Sequence, residues 1–181
     1  MRRITSLLIL AGLTCALPAL AQPVSQTENW PVADSADVAS IDAIILGIYD
    51  TISGPAGEQR DWDRMRSLMH PQAKLIPVGR TPDSTAYPLY MSIDQYIERA
   101  EPFLMSQGFF EVEIARKVET YGHVTHLFST YESRLPGAKA PFDRGINSFQ
   151  LIHDGARWWI VNIFWNSEES SGEPIPAMYG G

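Results

Sequence analysis

Cysteine is almost missing from this chain: Cys15 is the only one in 181 residues. It lies in a leader-like N-terminal stretch. The mature chain is therefore expected to have no disulfide, no thiolate nucleophile and no cysteine metal ligand. Positive charge is scarce too, with 14 Lys and Arg against 21 Asp and Glu. The net charge is −7, and losing Arg2 and Arg3 with the leader deepens it to −9. With no basic patch, the chain suits neither nucleic acid nor an anionic lipid surface. Histidines number four and form no H-x-H or HExxH pattern. His123 and His126 are three apart on an expected strand, so they point to opposite faces and no metal is expected. There is no G-x-S-x-G for a nucleophilic serine and no glycine-rich phosphate loop. No cofactor is expected.

The one long apolar run is residues 4–17, too short for a membrane span. Met1-Arg2-Arg3 precedes it and Ala19-Leu20-Ala21 follows as an A-x-A cleavage site. Residues 1–21 read as a signal peptide cleaved after Ala21, which implies a periplasmic or secreted protein without a stable membrane anchor. Thr14 before Cys15 argues against lipidation. Residues 22–34, with Pro23 and Pro31, read as a linker, residues 35–168 as one domain, and the Gly/Pro-rich residues 169–181 as a flexible tail.

Within the domain, Val38, Ile41, Ile45, Ile48 and Ile52 recur at helical spacing after a cap at Asp34 or Ser35, and Gly54-Pro55 ends that helix. A short second helix starts at Asp61 and closes at His70-Pro71, because a residue before proline is pushed out of the helical region. Residues 74–78 form a short strand and 79–89 a loop. Ser92 and Gln95 make a capping box for a third helix, stapled by Met91 and Tyr96. Pro102 inside it predicts a kink or a break. Strands follow at 109–119 and 123–134. A final hairpin over 145–165 turns at Asp154-Gly155. On the last strand, alternation puts Trp159, Val161, Ile163 and Trp165 on one face and Trp158, Ile160, Asn162 and Phe164 on the other. Which set faces inward is open.

Three segments carry a resemblance: LMHPQAKLI (68–76), GFFEVEI (108–114) and RGINSFQLIHDGARWWIVNIFWNSE (144–168). With the element order, they resemble the nuclear transport factor 2-like superfamily, and in particular its exported bacterial members. That superfamily includes SnoaL-like polyketide cyclases, scytalone dehydratase and ketosteroid isomerase. The resemblance covers about residues 35–168. It implies an α+β fold in which a cone-shaped, curved antiparallel sheet wraps around three N-terminal helices. The cone between them would be the ligand site.

Tyr49 falls about where the isomerase tyrosine would. The isomerase base would fall at Ile76-Pro77-Val78, where no acid stands, so chemistry by that route is not expected. The dehydratases and cyclases imply a histidine paired with Asp or Tyr in the cone. The catalytic candidates are then His70 and His126, with Tyr49 or Tyr90 as donor. Tyr49, Tyr90, Arg144, Asn147 and Trp165 are the expected ligand-binding residues, Arg144 being suited to a carboxylate. Tryptophans on both strand faces argue against a bare monomeric sheet and for a homodimer through its outer face.

Three functions follow: a small-molecule-binding protein with an apolar, aromatic-lined cone, a SnoaL-like lyase or isomerase using a pocket His/Tyr pair, or a periplasmic scaffold with a filled cone. The sequence leaves open whether the chain is an enzyme.

Overall fold

Helix α1, Ile41–Ile52, begins only where a side chain can satisfy its free amides, and Ser40 does so by accepting from Ala43 N. This is later than the expected cap at Asp34 or Ser35. Asp34 instead closes a turn, accepting from Ala36 N on its side chain and from Asp37 N on its carbonyl. Val38 is buried outside the helix, and its carbonyl accepts from Trp158 N. The computed structural model describes residues 29–180. The signal peptide, Cys15 and most of the linker lie outside the described residues.

Helix α2, Trp62–Leu68, is capped by Asp61 as expected. Strand β1, Met69–Arg80, follows at once and is longer than the expected 74–78. His70-Pro71 falls where its ladder register shifts, since proline has no N–H to contribute. Part of the expected loop is strand β2, Ala86–Pro88, which folds back onto β1. Helix α3, Ile93–Gln107, has the full Ser92/Gln95 capping box and runs unbroken through Pro102. The proline forfeits one backbone bond, while buried Ile97 and Leu104 on either side hold the helix to the core.

Four long strands complete the sheet: β3 Phe110–Tyr121, β4 Val124–Arg134, β5 Asp143–His153 and β6 Trp158–Ser167. The order is β2-β1-β6-β5-β4-β3, antiparallel throughout except for the parallel β1–β6 pair. The fold is α+β, a curved, open sheet with the helices on its concave side. The core lies between them around Ile44, Met65, Leu127, Phe149 and Ile160. Each such side chain contributes about 1.5–3 kcal/mol by leaving water.

Two bulges decide which side chains face inward. Gln150 pairs with Asn162 and Leu151 with Ile160, so Val161 is an extra residue on β6. It reverses the alternation: Trp158 and Ile160 share the inner face with Ile163 and Trp165. Neither expected set of four keeps to one face. On β3, Glu113 pairs with Tyr131 and Ala115 with Thr130, leaving Ile114 as the extra residue. Glu111, Glu113 and Arg116 thereby all face inward. The β5–β6 connection is also longer than a two-residue turn. Residues 154–157 form it, with Gly155 at φ +103° and the Asp154 carboxylate accepting from Ala156 N and Arg157 N.

After β6 come the short helix α4, Glu168–Ser171, and a 3-10 turn, Ala177–Tyr179. These residues lie on the outer sheet face: Thr130 donates to Tyr179 O, and the Tyr179 ring packs on Phe128 at 5.4 Å between centroids. Part of the face expected to dimerise is thus covered by the chain's own C-terminal segment.

Candidate functional site

A cavity of about 260 Å³ opens between α1, α3 and the concave sheet. Its walls are mostly apolar, with Ile48, Met65 and Leu75 deep and Phe103, Phe109 and Phe142 on further sides. Within this lining sit Glu111, Asp143, Asn147, Ser133 and the tyrosines Tyr49, Tyr96 and Tyr131. No Lys, Arg or His among the described residues belongs to it.

Glu111 is the group that the sequence reading did not single out. Ile76-Pro77-Val78, where the isomerase base would fall, holds no acid; the carboxyl of Glu111 reaches the cavity from β3, at the far edge of the sheet. Ser133 Oγ donates to its Oε2 at 2.7 Å and Asn147 Nδ2 approaches Oε1 at 3.4 Å. Enclosure by protein pushes its carboxyl up to about 7, against the pull of those two hydrogen bonds, and the nearby charge of Asp143 adds to the rise. Glu111 keeps some accessible surface and lines the cavity.

Tyr49, on α1, is buried, and its hydroxyl lies 2.7 Å from Ser129 Oγ and accepts from Asn147 Nδ2 at 3.0 Å. Ser129 in turn donates to Glu113 Oε1 at 2.6 Å. Burial, then the charge of Glu111, holds the Tyr49 phenol well above its ordinary value. Tyr96 is raised by the same two causes, and Tyr131 by burial, Glu111 and Asp143. All three phenols stay protonated near neutrality. The hydroxyls of Tyr96 and Tyr131 have no hydrogen-bond partner among the described residues, so both are free to donate to a bound molecule.

Of the expected ligand-binding residues, Tyr49, Asn147 and Trp165 line this cavity and Tyr90 and Arg144 do not. Tyr90 is two-thirds exposed in the approach to α3. Arg144 points to the outer face, 3.5 Å from Glu132 and 3.9 Å from Glu168. Neither expected catalytic histidine is in the cavity. His70 packs edge-on against Trp159 at the sheet exterior, and His126 pairs with Gln150 and stacks by Phe128 on the outer face. Among the described residues no group of three or more His, Cys, Asp or Glu is placed to hold a metal ion. No helix among them is long and apolar enough to cross a membrane.

No protein-family model and no curated protein matches the sequence. Solved structures do match. A protein of unknown function with a cystatin-like fold from Nostoc punctiforme superposes with TM-score 0.56 at 6% identity, over 73% of this chain and 91% of that one. An NTF2-like protein of unknown function from Pseudomonas putida gives 0.54 at 9% identity, over 74% and 87%. LinA gives 0.52 at 9% identity, over 71% and 84%. At such identities the likeness is one of fold, and the fold is the one that the sequence resemblance implied.

Proposed function

Because the chain has the nuclear transport factor 2-like fold, we propose that its cone takes up a small uncharged organic molecule and moves a proton on it, with Glu111 as the base. The observation that carries this is a carboxyl enclosed in an aromatic cavity beside two unpartnered phenols. A carboxyl poised near 7 is about half ionised at neutral pH, where a general base combines availability with proton affinity. Glu111 would accept a proton from a carbon next to a carbonyl. Tyr131 or Tyr96 would donate a hydrogen bond to the enolate oxygen that forms. Return of the proton to another carbon is isomerisation, and loss of a leaving group from the neighbouring carbon is elimination. Glu111 and Asp143, with no cation from the described residues in the lining, disfavour a carboxylate or phosphate at this site. The lyase or isomerase expectation is thus kept as a reaction class, with Glu111 in place of the histidines.

The leader pattern supports an exported protein, and the apolar outer sheet face supports a homodimer.

The test is solvent exchange. Cyclohexanone, cyclohex-2-en-1-one and acetophenone are incubated with the protein in D₂O and followed by NMR. Deuterium entering the α-carbon, abolished in E111Q, is the expected result. A melting temperature raised by these ketones without exchange would make the cone a binding site only. Neither effect would remove the reading.

A further inference from the structure

A hydrogen-bonded chain crosses the cone from its surface to Glu111. Arg116 pairs with Glu113 through Nε, 2.9 Å from Oε2, and through Nη2, and it also reaches the exposed Asp42. From Glu113 the links run through Ser129, Tyr49 and Asn147 to Glu111. Four elements supply the members: β3, β4, α1 and β5. The Ile114 bulge is what turns Glu111, Glu113 and Arg116 to the same side.

Every hydroxyl in this chain owns one proton, and that fixes its direction. Glu113, ion-paired with Arg116, accepts from Ser129. Ser129 must spend its proton on Glu113, so toward Tyr49 it accepts. Tyr49 must then donate to Ser129, so toward Asn147 it accepts. Asn147 must present its NH₂ edge, not its carbonyl, and the same NH₂ edge faces Glu111. We infer that Glu113 and Arg116 are positioning residues for the pocket base: the ion pair at the surface sets the direction of the chain and keeps a donor aimed at Glu111. This rests on Glu111 being the base proposed above. The other titratable groups facing Glu111 are Asp143 from β5 and Tyr131 and Tyr96 from β4 and α3, and none of them is a link in the chain.

The sign of one substitution separates this from ordinary electrostatics. In E113Q the Gln carbonyl is taken by Arg116, so its amide donates to Ser129. Ser129 then donates to Tyr49, Tyr49 to the Asn147 carbonyl, and Asn147 turns its carbonyl toward Glu111. An acceptor at that place favours protonated Glu111. Removing a negative charge nearby would by itself do the opposite.

The experiment is an NMR titration of protein labelled with ¹³C at the glutamate δ-carbon, with the Glu111 resonance identified by its loss in E111Q. In the wild type it is expected to titrate near 7. A value in the ordinary carboxylate range would overturn the assignment of Glu111 as base. Given the raised wild-type value, E113Q is expected to move the midpoint up by about one pH unit. An unchanged or lowered midpoint overturns the positioning role and leaves the base standing. Should E113Q fail to fold, S129A asks the same question: Tyr49, without its acceptor, turns to the Asn147 carbonyl, and the midpoint again rises. R116K, which keeps the cation, is expected to stay near the wild-type value.

Discussion

The hydroxyl of Tyr131 lies directly over Gly145 in the neighbouring strand. A Cβ at 145 would stand 2.4 Å from that oxygen and 2.5 Å from the backbone oxygen of Asn166. One neighbour is a phenol in the pocket wall and the other is main chain, so neither yields cheaply. G145A is expected to cost about 1–3 kcal/mol of stability by overpacking and to push the Tyr131 phenol out of place. Urea unfolding measures the first effect and α-carbon exchange the second. A variant as stable as wild type would show that the close approach is not real.

Glu111 makes stability depend on pH in a direction opposite to most carboxylates. Its carboxyl rises from about 4.5 to about 7 on folding, so the folded state holds the proton more tightly. Stability from this group is complete below about 4.5 and is lost as pH rises toward 7. The loss is at most about 3 kcal/mol, less in proportion to the access that the pocket gives to water. E111Q is expected to be the more stable protein at pH 8 and to flatten the slope between pH 5 and 7. Denaturant titrations at pH 5 and pH 8 on both proteins check this, and a wild-type slope retained in E111Q counts against it.

Because His70 and His126 lie outside the cone, H70A and H126A are expected to leave α-carbon exchange within about twofold of wild type. Y131F is expected to lower it by about 10²–10³-fold, the usual cost of removing one donor to a developing oxyanion. Parallel rates on the three variants decide the matter. A large loss in either histidine variant would return the chemistry to the imidazoles.

Arg60 holds the ends of two helices. It is buried, and its guanidinium donates to the carbonyl oxygens of Ile52, Gly54, Pro55, Glu58 and Leu104. Two of these are at helix ends: Ile52 is the last residue of α1, and Leu104 lies in the last turn of α3, where its carbonyl also accepts from Gly108 N. Lysine has the charge without the planar fork. R60K is expected to cost about 2–4 kcal/mol, since several buried acceptors lose donors together. Thermal or urea unfolding reads this, and a loss under about 0.5 kcal/mol would mean that water replaces the guanidinium.

Residues 172–180 lie across the outer sheet face near Phe128, Ile146 and Phe164. Removing residues 172–181 is expected to uncover that apolar surface and raise self-association, measured by native mass spectrometry at several concentrations. An unchanged monomer–dimer ratio would argue that subunits do not meet there.

Much of the fold was readable because its signals are local. The Ser92/Gln95 box, the Asp61 cap and the helical spacing from Ile41 to Ile52 each depend on residues within a turn or two of one another. The length of the last strands announced a large sheet, its curvature came with the family resemblance, and Tyr49, Asn147 and Trp165 do line the cavity. The bulges at Ile114 and Val161 gave no such signal. Each is created by how one strand registers against its neighbour, and each exchanges the faces of every residue beyond it.

The pocket acid was hidden for a related reason. In GFFEVEI, alternating acids on a strand read as its wet face, yet here Glu111 and Glu113 turn inward while Val112 and Ile114 are exposed at 50% and 41%. Only the partners that Ser133, Asn147 and Ser129 bring from distant strands make that inversion tolerable, by satisfying carboxylates that would otherwise be costly to enclose. The sequence by itself determined the three main helices, the long strands and their order, because these follow from side-chain periodicity and caps. The tertiary structure decided which carboxyl sits in the cone, how its hydrogen bonds run, and that the histidines stand outside it. Those depend on register and curvature, which no short stretch of chain encodes.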